Sequence, residues 1–348
     1  MNHLYLLILI EFVAIHVLTH LLMPLNLKFS KRLGIIAIPN ERRIHKTAIP
    51  EAGGLSFAIP IVIAQASFGM LSGNSEIGRM LLQLSGVGLI AIILGMWDDR
   101  YESHANYKLL WQASIGLIMY FIGYRVLFLT NPLGDSFVLG WMSLPVTILW
   151  YIIILNAINL IDGLDGLASG ISIIVCAVLL IVGIKEGNQL VIAICAFLIA
   201  GNTAFLFYNF YPAKIFLGET GALFIGLNIA AVSTAGSSQF KGITSMTMMI
   251  PLTVMAVPLL DVLLAVTRRL RLGNIFRPDK AHIHHIMLAF GFSQKTISII
   301  VYIVTLLFGL IAIGFSFSSK KILFSVLLGL LVLMVIVAYM FMRQEQKK

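Results

Sequence analysis

Charge is what this chain lacks. Of its 348 residues only 11% are Asp, Glu, Lys or Arg, whereas 59% are hydrophobic, and the mean hydropathy is +0.98. A soluble globular domain carries roughly 25% charged residues, so the composition excludes a water-soluble protein and indicates an integral membrane one. Cysteine is nearly missing as well. Cys176 and Cys195 both fall in apolar runs, where they read as small hydrophobic side chains rather than functional thiols. The short alternating strands of an outer-membrane barrel are absent, which leaves a helical bundle. No soluble domain, low-complexity stretch or internal repeat is evident, so residues 1–348 read as one integral membrane domain. The N-terminus has almost no basic segment and no small-residue cleavage site, so residues 4–24 read as a retained first helix.

What is present in quantity is apolar sequence of spanning length. A transmembrane helix needs about 20 apolar residues. Eleven such stretches are expected, at 4–24, 55–71, 80–97, 109–129, 141–161, 167–184, 190–208, 215–235, 243–266, 296–316 and 322–342. With the N-terminus outside, the loops 25–54, 98–108, 209–214 and 267–295 and the tail 343–348 are cytoplasmic, and they hold 18 of the 24 Lys and Arg. The remaining six, Arg79, Arg125, Lys185, Lys241, Lys320 and Lys321, fall on the other side. Such a bias predicts an all-α, polytopic bundle with its N-terminus outside and its C-terminus cytoplasmic. The net charge of +9 suits anionic lipid headgroups and is no argument for a nucleic-acid partner.

The few acids are not scattered. Asp98, Asp99, Asp162, Asp165 and Glu219 all sit where hydrophobic stretches end, and the topology brings all five to one membrane face. In Gly95-Met96-Trp97-Asp98-Asp99-Arg100 two adjacent carboxylates close a helix. They repel each other and are disfavoured by the helix dipole, which suggests a use; a solvated helix end with an Arg counter-ion is the alternative. The run Asn156-Ala157-Ile158-Asn159-Leu160-Ile161-Asp162-Gly163-Leu164-Asp165-Gly166 places polar residues every three positions. On a helix the first few share one slowly drifting face, and Gly163 and Gly166 permit close backbone approach. Oxygen-only ligands of this kind suit Mg²⁺ or Mn²⁺ rather than zinc, with polar packing between helices as the alternative. In Phe216-Leu217-Gly218-Glu219-Thr220-Gly221 glycines flank an acid and a hydroxyl at a helix start, where free N–H groups and the positive dipole end suit phosphate.

Two long internal loops are basic. One contains Arg42, Arg43, His45 and Lys46 ahead of Gly53-Gly54; the other contains Arg268, Arg269, Arg271, Arg277 and Lys280, then His282, His284 and His285. Adjacent histidines without cysteine make a poor zinc site, and hydrogen bonding to phosphate oxygens fits better beside so many cations. For Arg42 and Arg43, contact with lipid headgroups explains the charge equally well. Inside the spans, Glu11, His16 and His20 read as a structural pairing on the first helix, and Asp261 as an organiser of the boundary near Arg268 and Arg269.

In this order and on this topology, the motifs resemble the polyprenyl-phosphate N-acetylhexosamine-1-phosphate transferases. That superfamily includes the translocase making the first lipid-linked peptidoglycan precursor and the enzymes that start teichoic acid and O-antigen. The resemblance extends from His45-Lys46 to His285. It implies a transferase of a bacterial cytoplasmic membrane, active on the cytoplasmic face and supporting cell-wall biogenesis. Its substrates would be a UDP-N-acetylhexosamine and a polyprenyl (undecaprenyl) phosphate, its cofactor Mg²⁺ or Mn²⁺, and a homodimer is possible. Position by position, it implies Asp98 and Asp99 as base or electrostatic partner near the lipid phosphate, and Asn159 and Glu219 as metal positions. Asp165 with Gly163 and a stacking Phe216 would form the uracil pocket. Lys46, Lys108, His282, His284 and His285 would surround the diphosphate, and Asp162 and Asn209 also match substrate-site positions. The family usually has Asp where this chain has Glu219.

The resemblance further implies direct attack of the lipid phosphate on the β-phosphorus of the UDP-sugar, with UMP released. A phosphate monoester with a second pKa near about 6 is largely a dianion at neutral pH, so Asp98 or Asp99 would orient or deprotonate rather than form a covalent intermediate. The His282-Ile283-His284-His285 spacing is closer to the GlcNAc-using branch than to the phospho-MurNAc-pentapeptide branch. A nucleotide-sugar transporter would instead place ionisable residues near the midplane of symmetric halves.

Overall fold

A computed structural model gives the fold and describes residues 2–38, 47–129, 137–239, 249–271, 287–317 and 324–332. The described chain is an all-α bundle: α1 (Asn2–Leu33), α2 (Leu55–Leu71), α3 (Ser75–Tyr101), α4 (Ala105–Phe121), α5 (Ser143–Ile161), α6 (Leu167–Glu186), α7 (Gln189–Asn209), α8 (Gly218–Gln239), α9 (Met249–Val254), α10 (Ala256–Arg271) and α11 (Gln294–Phe317). Two antiparallel ladders of two residues each accompany them, β1 (Ile36–Ala37) with β2 (Ile49–Pro50) and β3 (Phe128–Leu129) with β4 (Phe137–Val138). Among the described residues six helical segments are long and apolar enough to cross a bilayer: His3–Leu33, Ser75–Tyr101, Gly140–Ile161, Leu167–Glu186, Gln189–Asn209 and Gln294–Gly314. The protein is a multi-pass membrane protein.

Several expected boundaries move, each for a local reason. The stretch 109–129 is not one helix. Gly123, at φ +101°, ends α4: its N–H reaches Tyr120 O at 3.2 Å and the next N–H reaches Met119 O at 2.9 Å. This paired reversal favours glycine because of its left-handed backbone, and the apolar residues beyond enter β3 instead. The stretch 243–266 divides at Met255 into α9 and α10. Pro258 cannot donate to Val254 O, and its ring crowds that carbonyl. The expected loop 98–108 shrinks to residues 102–104, which puts Lys108 on the first turn of α4. Of the expected span 322–342 the described part, 324–332, is helical.

Helix α8 is the centre of the bundle, packed against α3, α5 and α7. Its side chains from Gly221 to Ala235 are buried, so it faces protein rather than lipid. That explains why it tolerates polar residues and is not among the six apolar spans. Buried polar groups of α8 find neighbours: Gln65 donates to Asn228 at 2.6 Å, Trp150 Nε1 to Ser233 at 2.7 Å, and Tyr151 lies 3.2 Å from Thr234. Such interhelical bonds supply specificity where lipid offers no hydrophobic drive, at roughly 0.6–2 kcal/mol each. The polar residues of α1 do the same work at the periphery. Glu11 accepts from Ser67 at 2.6 Å, and His20 Nδ1 lies 3.0 Å from the Tyr208 hydroxyl. The rings of His16 and His20 meet edge-on at 5.0 Å. Cys176 and Cys195 are buried free thiols, small apolar fillers of α6 and α7.

Candidate functional site

Four helix ends meet at one end of the bundle: the last turns of α3 and α5 and the first turns of α4 and α8. Close approach of backbones makes the meeting possible. Gly54 and Gly221 are so near that a Cβ on Gly54 would lie 2.1 Å from Gly221 Cα. The chain entering α2 runs along the chain entering α8, with Gly53 N–H donating to Phe216 O at 2.8 Å and Gly54 N–H to Leu217 O at 2.9 Å. Asn26 of α1 holds the same segment by donating to Ala52 O at 3.1 Å. The glycine pair therefore joins two helix starts.

The side chains form a connected string. Lys108 Nζ lies 2.5 Å from Asp98 Oδ2 and 2.8 Å from Glu219 Oε1. The other oxygen of Glu219 accepts from Asn159 Nδ2 at 2.5 Å. Asp98, only 3% exposed, also accepts from Ser103 N–H at 2.8 Å. Burial opposes the charge on Lys108, but the carboxylates of Glu219 and Asp98 outweigh it and hold the ammonium above its usual range. Glu219 uses both oxygens to span from α4 to α5.

Asp162 lies just past the end of α5, half-buried, and accepts no hydrogen bond from the described residues. Burial first, then the charges of Glu219, Asp99, Glu51 and Asp165, push its carboxyl well above the usual range. A site that crowds five acids around one another calls for cations. Its donors are all oxygen, which suits Mg²⁺ or Mn²⁺. Among the described residues no three of His, Cys, Asp and Glu are placed to hold a metal together.

Other expected site residues are placed differently. Both oxygens of Asp99 are taken by the first turn of α8. Asn209 is buried, with its oxygen accepting from Gly166 N–H at 3.1 Å and its nitrogen donating to Ile215 O at 2.9 Å; it clamps the turn between α5 and α6 to the segment before α8. Asp165 Oδ2 accepts from Ala213 N–H at 2.9 Å, anchoring the 210–217 segment that carries the half-buried Phe216. Gly163 is exposed in the turn. Lys46, His282, His284 and His285 lie outside the described residues. One pair was not anticipated: Asn156 donates to Gln112 at 2.6 Å, one turn deeper than Asn159 and Lys108. The signal was a lone amide four residues after Lys108 in an otherwise apolar run.

Comparison with known proteins gives the arrangement a family. Residues 81–237, which include Asp98, Lys108, Asn159 and Glu219, match glycosyl transferase family 4. The chain is 35% identical over 308 residues to a probable undecaprenyl-phosphate N-acetylglucosaminyl 1-phosphate transferase of Bacillus subtilis, covering 88% of this chain and 84% of that one. It is 32% identical over 313 residues to a decaprenyl-phosphate N-acetylglucosaminephosphotransferase of Mycobacterium leprae, covering 82% and 77%. It is 27% identical over 299 residues to an undecaprenyl-phosphate alpha-N-acetylglucosaminyl 1-phosphate transferase of Escherichia coli, covering 82% and 77%. With likeness of this extent, the chain is a transferase and belongs to glycosyl transferase family 4.

Proposed function

We propose that the protein transfers N-acetylglucosamine 1-phosphate from UDP-N-acetylglucosamine to a polyprenyl phosphate, at the cytoplasmic face of a bacterial inner membrane. The observation that carries this reading is the Asp98–Lys108–Glu219–Asn159 string at one end of a membrane bundle. It is a charged, oxygen-rich cluster of the kind that two phosphate-bearing substrates need. The names of the relatives support the sugar and the lipid class; the excess of Lys and Arg in the loops on that side supports the orientation.

In this reaction an oxygen of the lipid phosphate forms a bond to the β-phosphorus of the donor. The bond from that phosphorus to the bridging oxygen breaks, its electron pair stays on the α-phosphate, and UMP leaves. Two anions have to meet, so catalysis is chiefly positioning and charge compensation. Lys108 brings a fixed positive charge between helices α3, α5 and α8 and faces the phosphates as they enter. Asp98, held by Lys108 and Ser103, orients the lipid phosphate or takes its remaining proton. Glu219 and Asn159 would hold a divalent cation, which would supply Lewis-acid compensation of the diphosphate. Asp165 keeps Phe216 and its segment in place for the uracil. Lys46, His282, His284 and His285 are assigned to the diphosphate surroundings by resemblance.

The test is UMP release from UDP-N-acetylglucosamine in the presence of undecaprenyl phosphate. Release is expected with Mg²⁺ or Mn²⁺ and is lost on chelation. Release that requires a UDP-MurNAc-pentapeptide donor, or uptake of intact nucleotide sugar into vesicles, would replace this reading.

A further inference from the structure

Asp99 sits where an acid is poorly served by its own helix, at the negative end of α3. Its carboxylate nevertheless collects three donors, all from another helix. Oδ1 accepts from Glu219 N–H at 2.6 Å, and Oδ2 accepts from Thr220 N–H at 3.1 Å and from the Thr220 hydroxyl at 2.5 Å. Helix α8 has no local means of making these bonds. Leu217 before it and Gly218 at its start carry no side-chain acceptor, although the first N–H groups of any helix need one.

Missing side chains on both helices let the acid reach. A Cβ on Gly218, whose φ is +72°, would lie 2.8 Å from both oxygens of Asp99; a Cβ on Gly95 would lie 2.4 Å from Thr220 Cα. The two adjacent acids thus part company. Asp98 pairs with Lys108, whereas the hydrogen bonds to the Asp99 carboxylate from the described residues come from the start of α8.

We propose that Asp99 is a positioning residue: it caps α8 from the neighbouring helix and thereby sets the direction in which Glu219 leaves the backbone to reach Lys108 and Asn159. It is not the proton acceptor of the reaction. The activity arm of the test rests on the phosphotransfer reading above, whereas the hydrogen-exchange arm is independent of it.

Asp99→Asn keeps an oxygen for Glu219 N–H and can donate to the Thr220 hydroxyl, giving up only the bond from Thr220 N–H, and Asn ranks with Asp as a helix cap whereas Ala ranks far below. Relative to the parent, kcat/KM for the donor should fall about 10-fold or less in Asp99→Asn. In Asp99→Ala it should fall about 100-fold or more, the scale of loss that follows a shift of about 1 Å. The acidic limb of the pH–rate profile should persist in Asp99→Asn. Amide exchange over residues 217–222, followed by mass spectrometry without substrates, should be faster in Asp99→Ala than in the parent and close to the parent in Asp99→Asn. Thr220→Val, which removes the hydroxyl donor and leaves both backbone bonds, should fall between the parent and Asp99→Asn. Should Asp99→Ala fail to fold, the other two variants still carry the comparison. An Asp99→Asn protein as inactive as an alanine variant with its 217–222 amides still protected, or one that has lost the acidic limb, would overturn the proposal. Unchanged exchange in Asp99→Ala would overturn it too.

Discussion

At the scale of single residues, Glu219 is the position with the sharpest expectation. Its two oxygens bridge Lys108 at 2.8 Å and Asn159 at 2.5 Å, so partners on two helices are spaced for a glutamate. Glu219→Asp restores the usual residue of the family but withdraws the carboxylate by about one bond length. A misplacement of about 1 Å can cost about 10²-fold. We expect kcat/KM for the donor to drop by up to about 100-fold in Glu219→Asp, with the fold intact by thermal melting; a gain of activity would contradict the geometry. Asp98, Asp162 and Glu219 were visible in the sequence because a carboxylate at the end of an apolar run is rare. The partition between Asp98 and Asp99 was not, because neighbours on one helix look alike until the other helices are in place.

At the scale of elements, helix ends make the site and close contacts keep them there. Helix α3 meets α8 through Gly95, where a Cβ would lie 2.4 Å from Thr220 Cα and 2.7 Å from its nitrogen. Both obstacles are backbone, so Gly95→Ala has to push the helices apart. Overpacking of this kind costs about 1–3 kcal/mol. The expected outcome is a lower thermal midpoint together with loss of UMP release, whereas Gly86→Ala, with open space at its Cβ, should match the parent in both. The helices themselves were legible from their apolar runs. Their ends were not: the Asn74 side chain accepts from Glu76 and Ile77 N–H and starts α3 ahead of the apolar run expected at 80–97. The break at Met255 and the stop at Gly123 were passed over because a hydropathy window averages across one proline or glycine.

At the scale of the whole molecule, the charge bias predicts a vectorial enzyme. Cys176 and Cys195 are buried, which leaves the native chain a quiet background for thiol labelling. In spheroplasts an impermeant maleimide should label His3→Cys from outside, and should label Asn106→Cys, beside the site, only after permeabilisation. The opposite pattern would reverse the orientation. The amino-acid sequence by itself determined that the protein lives in a bilayer, that it is helical, and that its acids gather at one face, because solvent preference and charge distribution are properties of composition and order. Tertiary structure alone decided which acid meets Lys108 and which caps α8, that Asn209 is a clamp, and that Glu219 reaches across two helices. Those roles depend on distances between residues up to about 120 positions apart, and only the packing of backbone against backbone at glycine sets such distances.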